Sequence, residues 1–292
     1  MLLVLPIAGG AAVVESIVIL HTNDLHLRLG RLASIEGWIA RERAAEPPRP
    51  VLLLDAGDAW QDFRRPIAAV WGAEEMVDWM NRVGYDAMAI GNHDLYWESD
   101  GLTALAAAAG FSLLCANLVP EAGFDPPFAA SIVKPVGDRS ILVVGLIGPE
   151  FVPFASYPRL RYRPPDEALR DELARSADVD LTIVIAHLPV DDAVRIVERV
   201  PEIDVFVTGH SHETTPEPIV VGETIVVQAG AFGRWLGRLE IRLDDAADGA
   251  RIVAHDYRLL PTETAPVDVD RGRRRLLHVL LALAGVALLT FL

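Results

Sequence analysis

The sequence predicts an α/β fold that is built from mixed sheets. Short apolar runs alternate with stretches of helical length, which is the pattern of strands covered by helices on both faces. Near the end of the chain, strand-like runs flank the turn DDAADG and indicate an antiparallel hairpin. The chain has 292 residues, of which 51% are hydrophobic and 23% charged, and this composition excludes a disordered chain.

The strands and helices follow one another in a regular order. The predicted strands are SIVIL, VLLLD, DAMAI, FSLLCA, SILVVGLI, LTIVIA and DVFVT, followed by the hairpin segments ETIVVQAG, RLEIRL and RIVAHDYRLL. The predicted helices are RLASIEGWIARERAA, AEEMVDWMNRVG, GLTALAAAAG, PDEALRDELARSA and VDDAVRIVERV. The longest stretch without a regular pattern is GPEFVPFASYPRLRYRPP, which either lines the entrance of a site or forms a surface loop.

Charge and cysteine content exclude several classes of function. The 41 acidic residues outnumber the 26 basic residues and give a net charge of −15, so no nucleic-acid polymer is expected as a partner. If the substrate carries phosphate, a metal ion is the candidate that would attract it. Cys115 is the single cysteine, which excludes an internal disulfide and a cysteine-based zinc site.

Polar side chains that can bind metals follow five of the predicted strands. SIVIL runs into HTNDLH, VLLL into DAGD, MAI into GNHD, IVIA into a histidine and VFVT into GHSH. Ligands bind at the carboxyl ends of strands in open α/β sheets, so residues distant in sequence are expected to converge there. The converging residues are Asp24, His26, Asp58, Asn92, His187, His210 and His212.

The donor set indicates two metal ions. Two carboxylates, one amide oxygen and four imidazoles suit Zn, Mn or Fe better than calcium. Seven ligands are too many for one catalytic ion with an open position, but they suffice for two ions if one carboxylate bridges them. Each motif alone is common in structural turns, and the succession of five at strand ends is what indicates a site.

These motifs resemble the calcineurin-like metallophosphoesterase superfamily in their order: D-x-H, GD, GNHD, H and GH-x-H. Within it, the sequence is similar to the catalytic domain of the 5′-nucleotidase family in ILHTNDLH, LLLDAGD, MNRVGYDAMAIGNHD, ANL, GHSH and VVQAGAFGRWLGRLEI. The resemblance covers about residues 17 to 260. It implies the metallophosphoesterase fold, which is a four-layer α/β/β/α sandwich of mixed sheets.

The resemblance also implies a role for each residue. It implies two ligand sets, one for each ion: Asp24, His26 and His212 for the first, and Asn92, His187 and His210 for the second. Asp58 would bridge the two ions. His93 matches the family's catalytic histidine, and Asp94 matches the carboxylate that orients it. Glu is commoner than Asp at that last position, although Asp also occurs there.

The activity implied by the resemblance is metal-dependent hydrolysis of a small phosphorylated substrate, such as a nucleotide. Family members that cleave nucleotides usually carry a second domain that grips the base, and the residues after 260 do not resemble it. A phosphodiesterase acting on cyclic nucleotides or other diesters is one alternative. A membrane-tethered binding protein that has lost turnover is another. No protein partner is evident from the sequence.

The two ends of the chain differ from the catalytic region, 16–260. Residues 1–15 begin with the apolar run MLLVLPIAGGAAVV and form either a leader or an N-terminal extension, since they lack the basic start of a typical signal peptide. Residues 261–275 are predicted to be a linker that ends in the basic cluster RGRRR. Residues 276–292 carry no formal charge and are predicted to form an apolar helix of roughly 25 Å, at the short end of what spans a bilayer.

The expected location is therefore at a membrane, and two signals disagree on the side that the catalytic region faces. The arginines beside the apolar helix favour the cytoplasmic side. Members of the resembled family, however, commonly work outside the cytoplasm.

Deletion of Leu276 to Leu292 is expected to release a soluble, active enzyme, because the metal motifs end at His212 and the folded pattern ends near Leu260. Fractionation of cells checks this, and a deletion variant that stays with the membranes would refute the anchor. Protease added to intact cells or spheroplasts tests the side. The arginines predict that the catalytic region is protected until lysis, and digestion from outside would show the opposite orientation.

Overall fold

The computed structural model describes residues 15–60, 66–96, 99–149, 159–176, 178–246 and 249–265. The helices in these ranges are α1 Leu32–Arg43, α2 Pro66–Val83, α3 Ser99–Ala108, α4 Pro165–Arg175 and α5 Val190–Arg199. The first seven strands are β1 Glu15–Thr22, β2 Val51–Asp55, β3 Ala87–Ala89, β4 Ser112–Leu114, β5 Leu118–Pro120, β6 Ser131–Val136 and β7 Arg139–Ile147. The remaining strands are β8 Leu160–Tyr162, β9 Leu181–His187, β10 Val205–Thr208, β11 Ile219–Val221, β12 Thr224–Val227, β13 Trp235–Ala246 and β14 Gly249–Pro261.

Two six-stranded mixed sheets carry the fold. The first has the order β14-β13-β1-β2-β3-β4, in which β1 to β4 are parallel and the β13–β14 hairpin is antiparallel. The second has the order β11-β12-β10-β9-β7-β6, in which the four central strands are parallel and the two edge strands antiparallel. A small two-stranded sheet pairs β5 with β8.

Three buried hydrophobic clusters define the layers around these sheets. Successive strand residues point to opposite faces, so Leu53 packs with Ile35 of α1 while its neighbour Leu54 packs with Ile183 of the second sheet. Val184, the neighbour of Ile183, faces the apolar side chains of α4 and α5. The order is therefore helices, first sheet, second sheet, helices. Strands covered on both faces explain why the central runs are continuously apolar.

The prediction of an α/β fold with mixed sheets and a late antiparallel hairpin is confirmed. Every predicted strand and helix has a counterpart, although α2 begins at Pro66, several residues before the predicted run. The strands that the sequence did not indicate are β5, β6, β8 and β11. Three of these have only three residues each, and β6 and β11 are partly exposed edge strands, so none has a continuous apolar run.

The described residues that follow β14 pack against the domain near the start of α1. The first residues of the predicted linker are packed against the domain, where Thr262 is buried and the amide of Ala265 donates to the carbonyl of Gly30 over 2.7 Å. The predicted apolar helix, 276–292, lies outside the described residues. In the ranges that the structure describes, we find no helix with the length and apolar character needed to cross a membrane.

Candidate metal centre

The carboxyl ends of five strands bring the predicted ligands together. β1, β2 and β3 are parallel neighbours in the first sheet, and β9 and β10 are parallel neighbours in the second. The loops after β1 and β2 stay paired beyond the strands. The amide of Asp24 donates to the carbonyl of Gly57 over 2.9 Å, and the amide of His26 donates to the carbonyl of Asp58 over 3.0 Å.

Asp24, His26 and His212 form the first group of donor atoms. Oδ1 of Asp24 lies 3.2 Å from Nε2 of His212 and 3.6 Å from Nε2 of His26, and the two imidazole nitrogens are 3.2 Å apart. Donors that share a tetrahedral zinc ion at about 2.0–2.1 Å are separated by roughly 3.3 Å. The spacing of this group is close to that value, and the group could hold an ion.

Asn92, His187 and His210 form the second group. Oδ1 of Asn92 lies 3.1 Å from Nε2 of His187 and 3.1 Å from Nδ1 of His210, and the two nitrogens are 3.3 Å apart. This group has the spacing of donors around one ion as well. The structure therefore brings together both sets of residues that the resemblance implied.

Asp58 lies between the two groups. Its Oδ2 is 3.1 Å from Nε2 of His187 in the second group and 3.8 Å from Nε2 of His26 in the first. Its Oδ1 accepts a hydrogen bond of 2.8 Å from the backbone amide of His93. One oxygen is thus held by the backbone while the other faces both groups, which is the position of a bridging carboxylate.

Hydrogen bonds orient the donor atoms toward the centre. Nδ1 of His187 lies 2.8 Å from the carbonyl of Ala56, which can only accept, so Nδ1 carries a hydrogen and Nε2 is the atom that can offer a lone pair to a metal ion. Oδ2 of Asp24 accepts from the amide of His210 at 2.9 Å and from the side chain of Asn23 at 2.6 Å. These contacts leave Oδ1 of Asp24 for the first group.

Five of the seven predicted ligands have a left-handed backbone, which is uncommon outside glycine. Their φ angles are 51° for Asp24, 45° for His26, 60° for Asp58, 71° for His210 and 60° for His212. Such conformations cost of order 1 kcal/mol or more each and concentrate at functional sites, where the surrounding structure enforces them. The strained turns aim side chains from two sheets at one point.

The charges in the centre are strongly coupled. Burial alone would raise the pKa of Asp58, but the neighbouring His187 outweighs burial and the net effect lowers it. Burial alone would lower the pKa of His187, but Asp58 and Asp24 raise it to about 10. Without a metal, a proton on His187 would balance a buried carboxylate. A histidine that binds a metal must be deprotonated at the ligating nitrogen, so a bound cation would replace this proton in balancing the carboxylate.

One buried atom shows that the residues fit a cation. Across the described ranges, Oδ1 of Asp24 is buried and receives no hydrogen bond. A buried carboxylate oxygen in that state is costly unless a positive charge compensates it. Oxygen and imidazole donors suit Zn, Mn or Fe, so the donor set fits two such ions without identifying them.

A family model matches the region that contains all of these residues. The model describes the calcineurin-like phosphoesterases, and it matches residues 17–214. The chain belongs to the calcineurin-like phosphoesterase family. The matched residues contain all five metal-binding motifs on which the resemblance rests. The candidate centre lies at the carboxyl ends of the strands, as the rule for open α/β sheets predicts.

Several relatives and solved structures resemble the chain over most of its length. Human 5′-nucleotidase is 32% identical, and the match covers 88% of this chain and 51% of the relative. An uncharacterized metallophosphoesterase of Bacillus subtilis, YunD, is 28% identical, and the match covers 79% of this chain and 51% of YunD. The chain therefore spans about half the length of these curated relatives.

Among solved structures, a 5′-nucleotidase precursor of Thermus thermophilus has a TM-score of 0.73 and 25% identity, with coverage of 92% of this chain and 59% of that one. The calcineurin-like phosphoesterase YfkN of Bacillus subtilis has a TM-score of 0.76 and 17% identity, and 91% of this chain matches 99% of it. The second similarity concerns the fold alone.

His93 lies on the open side of the centre. Its Nε2 is 3.9 Å from Oδ2 of Asp58, and its side chain is 27% exposed, whereas that of Asp58 is 2% exposed. Its ring meets the ring of His26 edge-on at 4.8 Å. With His26 and Asp58 it also forms a third group that could hold an ion, so its position suits both a ligand and the predicted catalytic residue.

Asp94 links the loops that follow β2 and β3. Its carboxylate accepts hydrogen bonds from the backbone amides of Asp58 at 2.8 Å, Gly91 at 2.9 Å and Trp60 at 3.3 Å. Burial, followed by the charge of Asp58, raises the pKa of Asp94 to about 7. In the structure this carboxylate positions the loop of Asp58, and its predicted role in orienting the ring of His93 stays a prediction.

Phe232 is a neighbour of the centre that the sequence analysis did not single out. Its ring lies 5.0 Å from that of His212 and 5.5 Å from that of His26. It belongs to the loop after β12, a further parallel strand of the second sheet. Extending the strand-end rule to this strand would have found it, but an aromatic residue is not a metal ligand and gave no chemical signal.

Gly91→Ala is expected to abolish metal binding and activity together. A Cβ at Gly91 would overlap with Oδ1 and the backbone nitrogen of Asp58, so the carboxylate of Asp58 would have to move. Metal analysis of the purified variant and a phosphatase assay check this.

Gly37→Ala is the matched control, since nothing lies within 4 Å of that position in α1. It should keep its metal and gain up to about 1 kcal/mol of stability from the better helix former. A Gly91→Ala variant with normal metal content and rate would contradict the placement of Asp58.

Proposed function

We propose that the chain is a two-metal phosphoester hydrolase that acts on small phosphate monoesters. The observation that supports this most directly is the position of one oxygen of Asp58 between two groups of metal-ligating atoms. An arrangement of this kind suits phosphoryl transfer, in which charge develops on both the attacking and the leaving oxygen. The family of the chain supports the same reaction class.

When bound, two divalent ions would supply a hydroxide near neutral pH and neutralise charge on the phosphoryl oxygens. The residues of the chain provide the rest. Asp24, Asp58 and His187 are buried and fix the geometry, whereas the side chain of His212 is 37% exposed and that of His93 is 27% exposed. The substrate is therefore expected to approach from the side of these two histidines.

His93 is placed to act on the ester itself. Because its ring lies on the open side beside Asp58, an N–H group there could contact a phosphate oxygen or protonate the leaving alkoxide. Six other side chains, together with Asp58, supply a sufficient ligand set without it. This division of roles is the part of the proposal that mutagenesis tests most simply.

Nucleotides are the proposed substrate class. Human 5′-nucleotidase and the Thermus thermophilus 5′-nucleotidase precursor support this assignment by their similarity to the chain. The chain covers 51% and 59% of these two proteins, so their substrates are carried over only as a proposal. Monoester hydrolysis is the broader claim, and nucleotide preference is the narrower one.

Membrane attachment is a separate part of the proposal. The uncharged run of residues 276–292 and the arginines that precede it support an anchor. Protease accessibility addresses the side of the membrane on which the catalytic region lies.

The reaction class is tested with p-nitrophenyl phosphate and bis-p-nitrophenyl phosphate, using protein stripped of metal and reloaded with Zn²⁺ or Mn²⁺. We expect the monoester to be cleaved faster, and we expect no cleavage before reloading. Preference for the diester would favour the phosphodiesterase alternative. A protein that binds two ions but cleaves neither ester nor AMP would support the binding-protein alternative and refute the proposal.

Asp58→Asn and His93→Asn are expected to fail in different ways. Loss of the bridging carboxylate should reduce bound metal and turnover together. Loss of His93 should leave metal content near normal and lower kcat by roughly 10²–10⁴, the usual contribution of a positioned acid or base. Metal analysis and kinetics of both variants check this. Wild-type metal content in Asp58→Asn would refute the bridge, and loss of metal in His93→Asn would make His93 a ligand.

A further inference from the structure

The residues that follow β14 contact the loop after β12, which carries Phe232 beside the candidate centre. Nε1 of Trp38 donates to the carbonyl of Pro261 over 2.8 Å, and the amide of Glu263 donates to Oγ of Ser34 over 3.1 Å. These bonds fix residues 261–265 along α1. The residue between them, Thr262, is 9% exposed and contacts the loop after β12.

Thr262 uses every polar atom it has. Its hydroxyl donates to the carbonyl of Gly233 and accepts from Nη1 of Arg31 at 3.0 Å. Its backbone amide donates to the carbonyl of Arg234 over 3.0 Å, and its own carbonyl accepts from Arg31 at 2.7 Å. A hydroxyl has one hydrogen to donate, so the direction of these bonds is determined. Thr262 thus holds two successive carbonyls of the loop after β12.

That loop is conformationally strained. Phe232 has a φ of 62°, and Gly233, which follows it, has a φ of 60°. A bulky residue in the left-handed region is a genuine outlier, and it persists only where the surroundings enforce it. The amide of Phe232 donates to the carbonyl of Asp24 over 2.7 Å on one side. The contacts of Thr262 hold the other side.

The strained residue touches two members of the first ligand group. The ring of Phe232 is edge-on to that of His212 at 5.0 Å and tilted against that of His26 at 5.5 Å. The side chain of His212 is 37% exposed, so part of its surface faces solvent and has no protein neighbour among the described residues to hold the ring in place. Contact with Phe232 limits the rotation of this imidazole.

We propose that Thr262 is a positioning residue that holds the Phe232 loop against His26 and His212 and thereby tunes the affinity of the first metal position. The inference rests on the proposed two-metal function.

The test uses the full chain with Thr262→Val, which keeps the shape of the side chain and removes the hydroxyl. Titration of the metal-free protein with Mn²⁺, followed by calorimetry, should show one of two binding steps weakened by about tenfold, the lower end of the range for groups that orient ligands. The other step should be unchanged. Thr262→Ser keeps the hydroxyl and should restore the affinity.

Thr224→Val is the matched control. Thr224 is fully buried at the start of β12, and its hydroxyl also donates to a backbone carbonyl, that of Ile203. It lies at the opposite end of its strand from the Phe232 loop. Its substitution should lower thermal stability and leave both metal affinities unchanged.

A double-variant comparison with His212→Asn separates positioning from general destabilisation. His212 is the more exposed of the two ligands that Phe232 contacts, so most of the effect of Thr262→Val on metal affinity should be lost once His212 is replaced. Two wild-type affinities in Thr262→Val, or a loss that Thr262→Ser fails to restore, would overturn the inference. Wild-type protein that binds fewer than two ions would instead overturn the proposed function.

Discussion

The buried charge of Asp24 and Asp58 is the constraint on which the rest of the centre depends. Two carboxylates lie within the protein, and moving a charge of this kind out of water costs several kcal/mol unless an opposite charge compensates it. His187, at 3.1 Å from Asp58, supplies part of that compensation when protonated, and bound cations would supply more of it. The hydrogen bonds made by His187 and Asp24 to their neighbours orient the metal-ligating atoms of both side chains toward the candidate centre.

The fold meets this constraint by joining two sheets. The buried faces of β2 and β9 hold the sheets together through residues such as Leu54 and Ile183, and the parallel strands end on one side. Left-handed backbone conformations at Asp24, Asp58 and His210 then turn these side chains toward the candidate centre at the strand ends. The apolar contact between the sheets stabilises the whole domain, and the strain in the turns is the cost of convergence.

Much of this arrangement could be predicted from the sequence, for a physical reason. Continuous apolar runs identify buried strands, and ligands collect where parallel strands end, so the sequence pattern alone predicts that Asn92 and His187 lie close together. The short edge strand β11 could not be found because it has three partly exposed residues. The roles of Phe232 and Thr262 depend on long-range contacts, and neither residue carries a chemical signal in the sequence. The contacts of Asp94 with three backbone amides could not be predicted for the same reason.

The proposed two-metal centre is tested most directly by anomalous diffraction. Crystals loaded with Zn²⁺ or Mn²⁺ would be measured at the absorption edge of the metal. We expect two peaks a few Å apart. One should lie beside Asp24, His26 and His212, the other should lie beside Asn92, His187 and His210, and the carboxylate of Asp58 should contact both. A single peak at full loading, or two peaks that do not share Asp58, would contradict the proposed two-metal centre.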